Sequence, residues 1–393
     1  MNKRNIIISL TFVSLVVDTI ASGQGRQAAA DVPQALPQLQ YAVVDLGEDA
    51  FGNGITDSGR IIGSKFFGGA DRHAALWPNI QSAPIDLGTL PGFAGSSAFG
   101  INPRGQMVGM TFPFSSARPL FWPSSQSAPM ELPGLPVGFV GQASAINPVG
   151  QIVGIFFASD FSVERAVFWP KSNAAPIYLA ELSNNFPNGL ALSINASGNI
   201  LGDGCTADFV ECHVAFWASS ASNPVPLASP GGEFIYTDIG LSSGFAVAPA
   251  LNNAGSMVGY AYNADFSETR AVFWANSSSP AVILSTTGEF INGTAEGISD
   301  KGQIVGTAYN SDFSDLHAFM WPSSTTEGID LNTLIPPDSG WELVIARGIN
   351  NRGEITGEGF LNGTLHAYAL IPVRSPLAGN FDSPSTAHRL DLR

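Results

Sequence analysis

The chain has 393 residues and a formal net charge of −15, with only 12% of its residues charged, against about 25% in ordinary soluble proteins. So acidic a surface repels phosphate backbones and anionic headgroups, which argues against nucleic acid and anionic membranes as partners. The 43 glycines and 27 prolines, with abundant Ser and Asn, favour short strands joined by tight turns.

Residues 1–23 read as a secretory signal. Lys3 and Arg4 form a charged start, Ile6 to Val17 is an apolar run, and Ala21-Ser22-Gly23 supplies small residues for cleavage. The run is too short to span a bilayer and is closed by Asp18. Residues 24–39 read as a linker. No second apolar span follows, so the expectation is an exported protein, extracellular or periplasmic, without a membrane span. The two cysteines, Cys205 and Cys212, are expected to pair in an oxidising compartment and clip one loop.

From residue 40 to 373 the chain repeats itself. A phrase of the form small-x-small-Ile-Asn-x-x-Gly-Gln-Ile-Val-Gly recurs seven times, with cores near 52–63, 98–109, 143–154, 191–202, 248–259, 295–306 and 346–357. Successive copies are 46, 45, 48, 57, 47 and 51 residues apart. Each copy reads as four strands. Strand a ends in the Ile-Asn of the phrase, and Asn-x-x-Gly makes the hairpin, since Gly accepts positive φ and Asn caps the turn. Strand b is Gln-Ile-Val-Gly. Strand c is a (His/Arg)-Ala-x-Phe-Trp segment, as in "RHAALW" from Arg72 or "LHAFMW" from Leu316. A Ser/Pro-rich turn leads to a short strand d.

Four strands per copy and a period near fifty predict an all-β fold, a seven-bladed β-propeller of four antiparallel strands per blade. The two small positions of strand a suit the crowded axis, and alternation along a strand predicts that they share one face. The seventh copy lacks a clear strand d, while a spare one, "YAVVDLG" from Tyr41, stands at the front. The ring is therefore expected to close with its N-terminal strand. The rival is the C-terminal "HRLDLR"; otherwise residues 374–393 form a flexible tail.

The repeated segments resemble the HAF-repeat family of extracellular proteins, named for a His-Ala-Phe segment seen here at His317. The resemblance covers roughly residues 41–373 and implies export and a repeat fold. Four copies depart from the name by using Arg or by reordering the segment, as in "HVAFW", and Leu370 replaces the Trp of the last copy. The resemblance supplies no catalytic residue.

The first position of strand c holds His73, Arg118, Arg165, His213, Arg270, His317 and His366. Asp160-Phe161, Asp208-Phe209, Asp265-Phe266 and Asp312-Phe313 precede it in four copies. His and Arg are interchangeable as hydrogen-bond donors but not as metal ligands or bases. The position therefore reads as structural, its donor facing that Asp, with the Asp also free to accept from loop amides. Neither a metal site nor a cofactor is expected.

Strand order puts the b–c and the long d–a connections on one face. Aromatics there, among them Phe93, Phe139, Phe290 and Trp341, are candidates for contacting a sugar ring or a protein patch. Between the two small positions of strand a stand Asn53, Glu296 and Arg347 in blades that neighbour one another on closure. They form a candidate polar arc at the axis, read either as an inter-blade ion pair or as a binding mouth. No nucleophile elbow, Ser-x-x-Lys, His-Glu-x-x-His or Walker motif occurs. The expected function is a secreted, monomeric, non-enzymatic module that binds a glycan or a protein. The alternatives are a polysaccharide hydrolase or lyase with its site near the axis, and a structural surface protein.

Overall fold

The computed structural model describes residues 40–69, 71–238, 250–265 and 267–373. The expected signal sequence, linker and tail lie outside them, as do Phe245, Pro249 and Phe266. The architecture is a seven-bladed β-propeller made of seven four-stranded antiparallel sheets. Blade two shows the plan: strands Gly95–Ile101, Met107–Phe112, Pro119–Trp122 and Met130–Glu131 run from the axis outward. In blades one to six the outer strand d is two residues long and leaves little free edge. Among the described residues no helix is long and apolar enough to cross a membrane.

The ring closes as the repeats predict. Blade seven takes Gln40–Glu48 as its outer strand beside Thr364–Val373, paired from Gln40 opposite Val373 to Glu48 opposite His366 with one bulge between Asp45 and Gly47.

Each strand-c tryptophan ties its blade to the one before. Trp77, Trp122, Trp169, Trp217, Trp274 and Trp321 are fully buried. Their indole N–H groups donate to the carbonyls of Leu46, Leu87, Pro133, Ala180, Ala228 and Ser285 at 2.7–3.1 Å. Leu46 belongs to the closing strand, so the first of these bonds bridges the seam. Where Leu370 replaces the seventh Trp, the interface is filled by Tyr41, Met320, Leu331 and Leu334, which pack with it in one buried cluster.

The hairpin asparagines form a second inter-blade series. Asn102 accepts from the amides of Arg104 and Gln106, which closes its own turn. Its amide then donates to the carbonyl of Asn147 in the next blade. Asn147 repeats this toward Asn195, Asn195 toward Asn252, Asn252 toward Ser299, and Asn350 toward Thr56 across the seam. The motif Asn therefore both caps a turn and links blades.

The small residues of strand a flank a β-bulge, which corrects the expectation of uninterrupted alternation. In blades one, two, three, four, six and seven the register slips by one residue between the two small positions. The second small position meets the neighbouring inner strand. A Cβ on Gly100 would lie 3.0 Å from Ala145 Cα, and one on Gly348 would lie 3.3 Å from Gly54 Cα. The bulge also turns a carbonyl against strand b, where the last glycine of the motif makes room. A Cβ on Gly63, Gly109, Gly202, Gly306 or Gly357 would stand 1.7–2.0 Å from the facing carbonyl oxygen.

Blade five departs from the motif boundaries. Its strand a is Phe234–Asp238, well ahead of the phrase, and Leu251 rejoins the sheet opposite Met257. The step into this copy is the longest of the six, at 57 residues.

Gly109→Ala should lower the unfolding free energy by about 3 kcal/mol, the upper end for overpacking, because it meets backbone rather than a movable side chain. Denaturant unfolding of the variant checks this; wild-type stability would refute the role given to the motif glycine.

Candidate functional site

The residues that the bulges insert into strand a are the variable ones of the motif: Asn53, Phe99, Ser144, Leu192, Glu296 and Arg347. They gather at the axis and are largely buried. Phe99 and Leu192 share an apolar cluster with Met110, Ile155 and Leu201. On the opposite side lies a charged group. Arg347 Nε donates to both oxygens of Glu358 at 2.7 and 2.9 Å, and its Nη1 lies 3.4 Å from Glu296 Oε2. Thr307 donates to the other Glu296 oxygen at 3.1 Å. The Arg347 and Glu358 side chains are each 3% exposed. Asn53 does not join this arc; it turns to Ser97 and to the carbonyl of Ala98 in blade two. Glu296 and Arg347 are thus brought together, and Asn53 is not.

One guanidinium serves two carboxylates in a place with little water, so full ionisation of both would leave excess negative charge. Burial pushes the Glu358 carboxyl up to about 7, with Glu296 adding repulsion and Arg347 opposing both. Glu296 is raised in the same sense, chiefly by burial. A second set of acids lies across the ring at blades three to five. Asp203 is 1% exposed, and burial with repulsion from Asp238 lifts Glu164 to about 8. Sequence reasoning missed Glu358 and Asp203, although both stand directly after the motif glycine. That position reads Ser64, Met110, Ile155, Asp203, Tyr260, Thr307, Glu358.

The His/Arg belt pairs with acids, but not with those of the Asp-Phe pairs. His73, His317 and His366 place Nδ1 within 2.7–3.0 Å of Asp86, Asp330 and Asp45 on strand d. Arg118 faces Glu131 at 3.6 Å and Arg165 faces Glu181 at 3.8 Å. His213 and Arg270 use Glu211 and Glu268, two residues earlier on their own chain segment. The Asp of each Asp-Phe pair instead caps its own turn. Asp160, Asp265 and Asp312 accept from the amide and hydroxyl of Ser162, Ser267 and Ser314; Asp208 accepts from the Val210 amide and the Thr206 hydroxyl. The belt is only part exposed, and its pairs hold strand d or the start of strand c to the blade.

The d–a aromatics mostly lie over this belt. Phe290 is 8% exposed and its ring is 4.5 Å from that of His317. Trp341 is edge-on to His366 at 6.0 Å, Phe186 to His213 at 5.3 Å, and Phe234 carries the Arg270 guanidinium at 5.0 Å. In blade one Arg72, beside His73, lies 4.3 Å over Phe51. Phe290 is therefore packed away rather than presented to solvent. Phe93, Phe139 and Trp341 remain half-exposed.

One feature of this face is strained. Phe161, Phe209 and Phe313 have φ of 57°, 57° and 59°. They occupy the left-handed position of the b–c turn in blades three, four and six. Near them the cysteines form the expected disulfide, Cys205–Cys212, which clips the b–c hairpin of blade four.

No protein-family model and no curated relative matches the chain. Solved structures do. TolB from Acinetobacter baumannii is 10% identical, over 80% of this chain and 64% of TolB, with a TM-score of 0.45; the chain thus spans less than two thirds of TolB. YCF48 from Cyanidioschyzon merolae is 9% identical over 84% and 98%, at 0.47. The gluconolactonase XC5397 from Xanthomonas campestris is 10% identical over 88% and 99%, at 0.40.

The axial group makes stability depend on pH in a defined direction. Glu358 holds its proton more tightly folded than unfolded, so its contribution is full below about pH 4.5 and is lost as pH rises toward 7. Glu358→Gln should flatten the fall in unfolding free energy across that window. Arg347→Met should cost about 3–5 kcal/mol at pH 8, because two buried carboxylates lose their cation, and less at pH 5. Denaturant titrations at the two pH values check both; equal slopes for wild type and Glu358→Gln would contradict the assignment.

Proposed function

We propose that the chain is an exported, non-enzymatic propeller of the HAF-repeat kind, which binds a glycan or protein ligand across the face formed by its b–c and d–a connections. The observation that carries this is the left-handed phenylalanine of the Asp-Phe turns. A hairpin loop of this type closes with a residue at positive φ, and Gly or Asn fills that place at little cost. The b–c turn of blade seven, a shorter two-residue loop between Leu361 and Thr364, fills its positive-φ places with Asn362 and Gly363, at 52° and 88°. Blades three, four and six put Phe there, at a cost of about 1–2 kcal/mol each. Strain kept where the fold does not need it points to a role for the side chain.

The neighbouring chemistry fits. Phe161 is 39% exposed, and each ring stands beside an Asp whose carboxylate is fixed by its own turn. Flat apolar surface next to fixed acceptors suits sugar rings and polar protein patches alike. The disulfide supports export, because such bonds persist in oxidising compartments. The enzyme alternative draws no support from the axial acids: Arg347 and Glu358 are sealed from solvent, and Phe99 and Leu192 pack the other side.

The test is a glycan array probed with the full chain and with the triple variant Phe161→Gly, Phe209→Gly, Phe313→Gly. Relief of strain and loss of packing against Phe114 and Tyr309 roughly cancel, so the variant should stay within about 1 kcal/mol of wild type. Its glycan binding should fall at least tenfold. Undiminished binding would move the site off this face. Absence of any glycan ligand would leave a protein ligand, sought by the same pair of proteins, and cleavage of a bound glycan would establish the enzyme instead.

A further inference from the structure

One blade uses the His/Arg position differently from the rest. At the junction of blades six and seven, Asp315 and His317 of one blade meet Glu342 of the next. One ligand-type atom from each lies within 4.8 Å of the others, and among the described residues no other three such side chains do so. His317 Nε2 is 3.7 Å from Asp315 Oδ1. Its other ring nitrogen, Nδ1, is 2.7 Å from Asp330 Oδ2.

Asp330 is itself held. Its Oδ1 accepts from the amide nitrogen of Asn332 at 2.9 Å and from the Asn332 side chain at 3.0 Å, which caps the 3-10 turn Leu331–Leu334. The Phe290 ring closes over the imidazole at 4.5 Å. With Nδ1 donating to Asp330, a neutral imidazole keeps its lone pair on Nε2, the nitrogen 3.7 Å from Asp315. A carboxylate fixing one nitrogen while the other faces further donors is the support that metal-bound histidines use.

We propose that Asp315, His317 and Glu342 form a binding site for a divalent cation of the zinc class, with Asp330 as a positioning residue. One imidazole nitrogen and two carboxylates suit zinc or a similar borderline cation, whereas calcium and magnesium prefer oxygen alone. Ligand bonds of about 2.0–2.2 Å in a tetrahedron place donor atoms about 3.3–3.6 Å apart. The present spacing closes to that by adjusting Glu342, which is exposed, and Asp315, which is half-exposed. Three protein ligands leave a fourth position for water or for an oxygen of a bound molecule. The cation would also pin blade six to blade seven.

The other histidines of the belt lack the set. His73 and His366 keep the strand-d carboxylate on Nδ1, and His213 uses Nε2 on Glu211 at 2.9 Å. Glu342 is what distinguishes blade six, and it comes from a neighbouring blade.

The belt supplies the control. Arg118, Arg165 and Arg270 occupy the His317 position in other blades, so His317→Arg should preserve the structural pairing while removing the metal ligand. Zinc titration of the full chain by calorimetry should give one site per chain. Glu342→Gln should weaken it at least tenfold, and His317→Arg should abolish it with an unchanged metal-free Tm. Asp330→Asn should weaken it about 10–100-fold and shift the absorption spectrum of bound Co2+, which loss of a purely structural contact would not. Zinc should raise Tm in wild type but not in His317→Arg. Absence of zinc binding by wild type, or equal binding by Glu342→Gln and His317→Arg, overturns the proposal. If His317→Arg fails to fold, Glu342→Gln decides alone, since that side chain is exposed, and unchanged affinity there is equally fatal.

Discussion

The contact on which the ring depends is between a strand-a carbonyl just ahead of the bulge and a glycine of strand b, made in six of the blades. Seven sheets converge on one axis, and their innermost strands approach to backbone distance. The bulge lets strand a bend there while keeping its pairing on both sides. It also drives a carbonyl into the space above strand b, and only a residue without a Cβ leaves that space free. The Gly-Gln-Ile-Val-Gly phrase is therefore a steric specification. Its first glycine turns the hairpin, and its last receives the carbonyl. The tryptophan bonds and the asparagine series then hold neighbouring blades in the positions that this close approach sets.

The same contact explains what the sequence made legible. Repetition exposed the seven copies, their four strands and the borrowed closing strand, because the copies that carry the bulge must each satisfy the same steric demand. Alternation failed at one place, the bulge. A bulge adds a residue without changing the small-x-small wording, so Ala98-Phe99-Gly100 looks like an ordinary strand. The fifth copy showed only as a longer step, and strand Phe234–Asp238 carries no motif. Glu358 and Asp203 were overlooked for a related reason. They sit one residue beyond a strong motif, where the other copies hold Ser, Met, Ile, Tyr and Thr, and their significance comes from a cross-strand partner and burial.

The axis shows how little the repeat constrains chemistry. The bulge residue is inserted into strand a, so its identity is free as long as its side chain fills the centre. Blades two and four fill it with Phe99 and Leu192, and blades six and seven with Glu296 and Arg347. The polar solution is less economical in stability terms, since burying two acids and one cation incurs desolvation that their mutual attraction offsets only in part. What it provides is a fixed set of partners across three strands, Thr307, Arg347 and Glu358, at the junction of blades six and seven.

The belt of His and Arg separates a shared role from a particular one. Its shared role is to bridge strand c to a nearby carboxylate, and either residue does this as a donor. The exchange of His for Arg from blade to blade follows from that. An argument from exchange is sound for the position as a class and silent about any single member. His317 keeps the shared bond through Nδ1 and has a second nitrogen left over. Arg at the same place would spend its planar fork on hydrogen bonds and has no lone pair to offer a cation. Where the next blade supplies Glu342, a second carboxylate joins Asp315 beside that imidazole. The scaffold thus presents the same oriented imidazole several times, and a change in one neighbouring strand is enough to turn a structural pair into a ligand set.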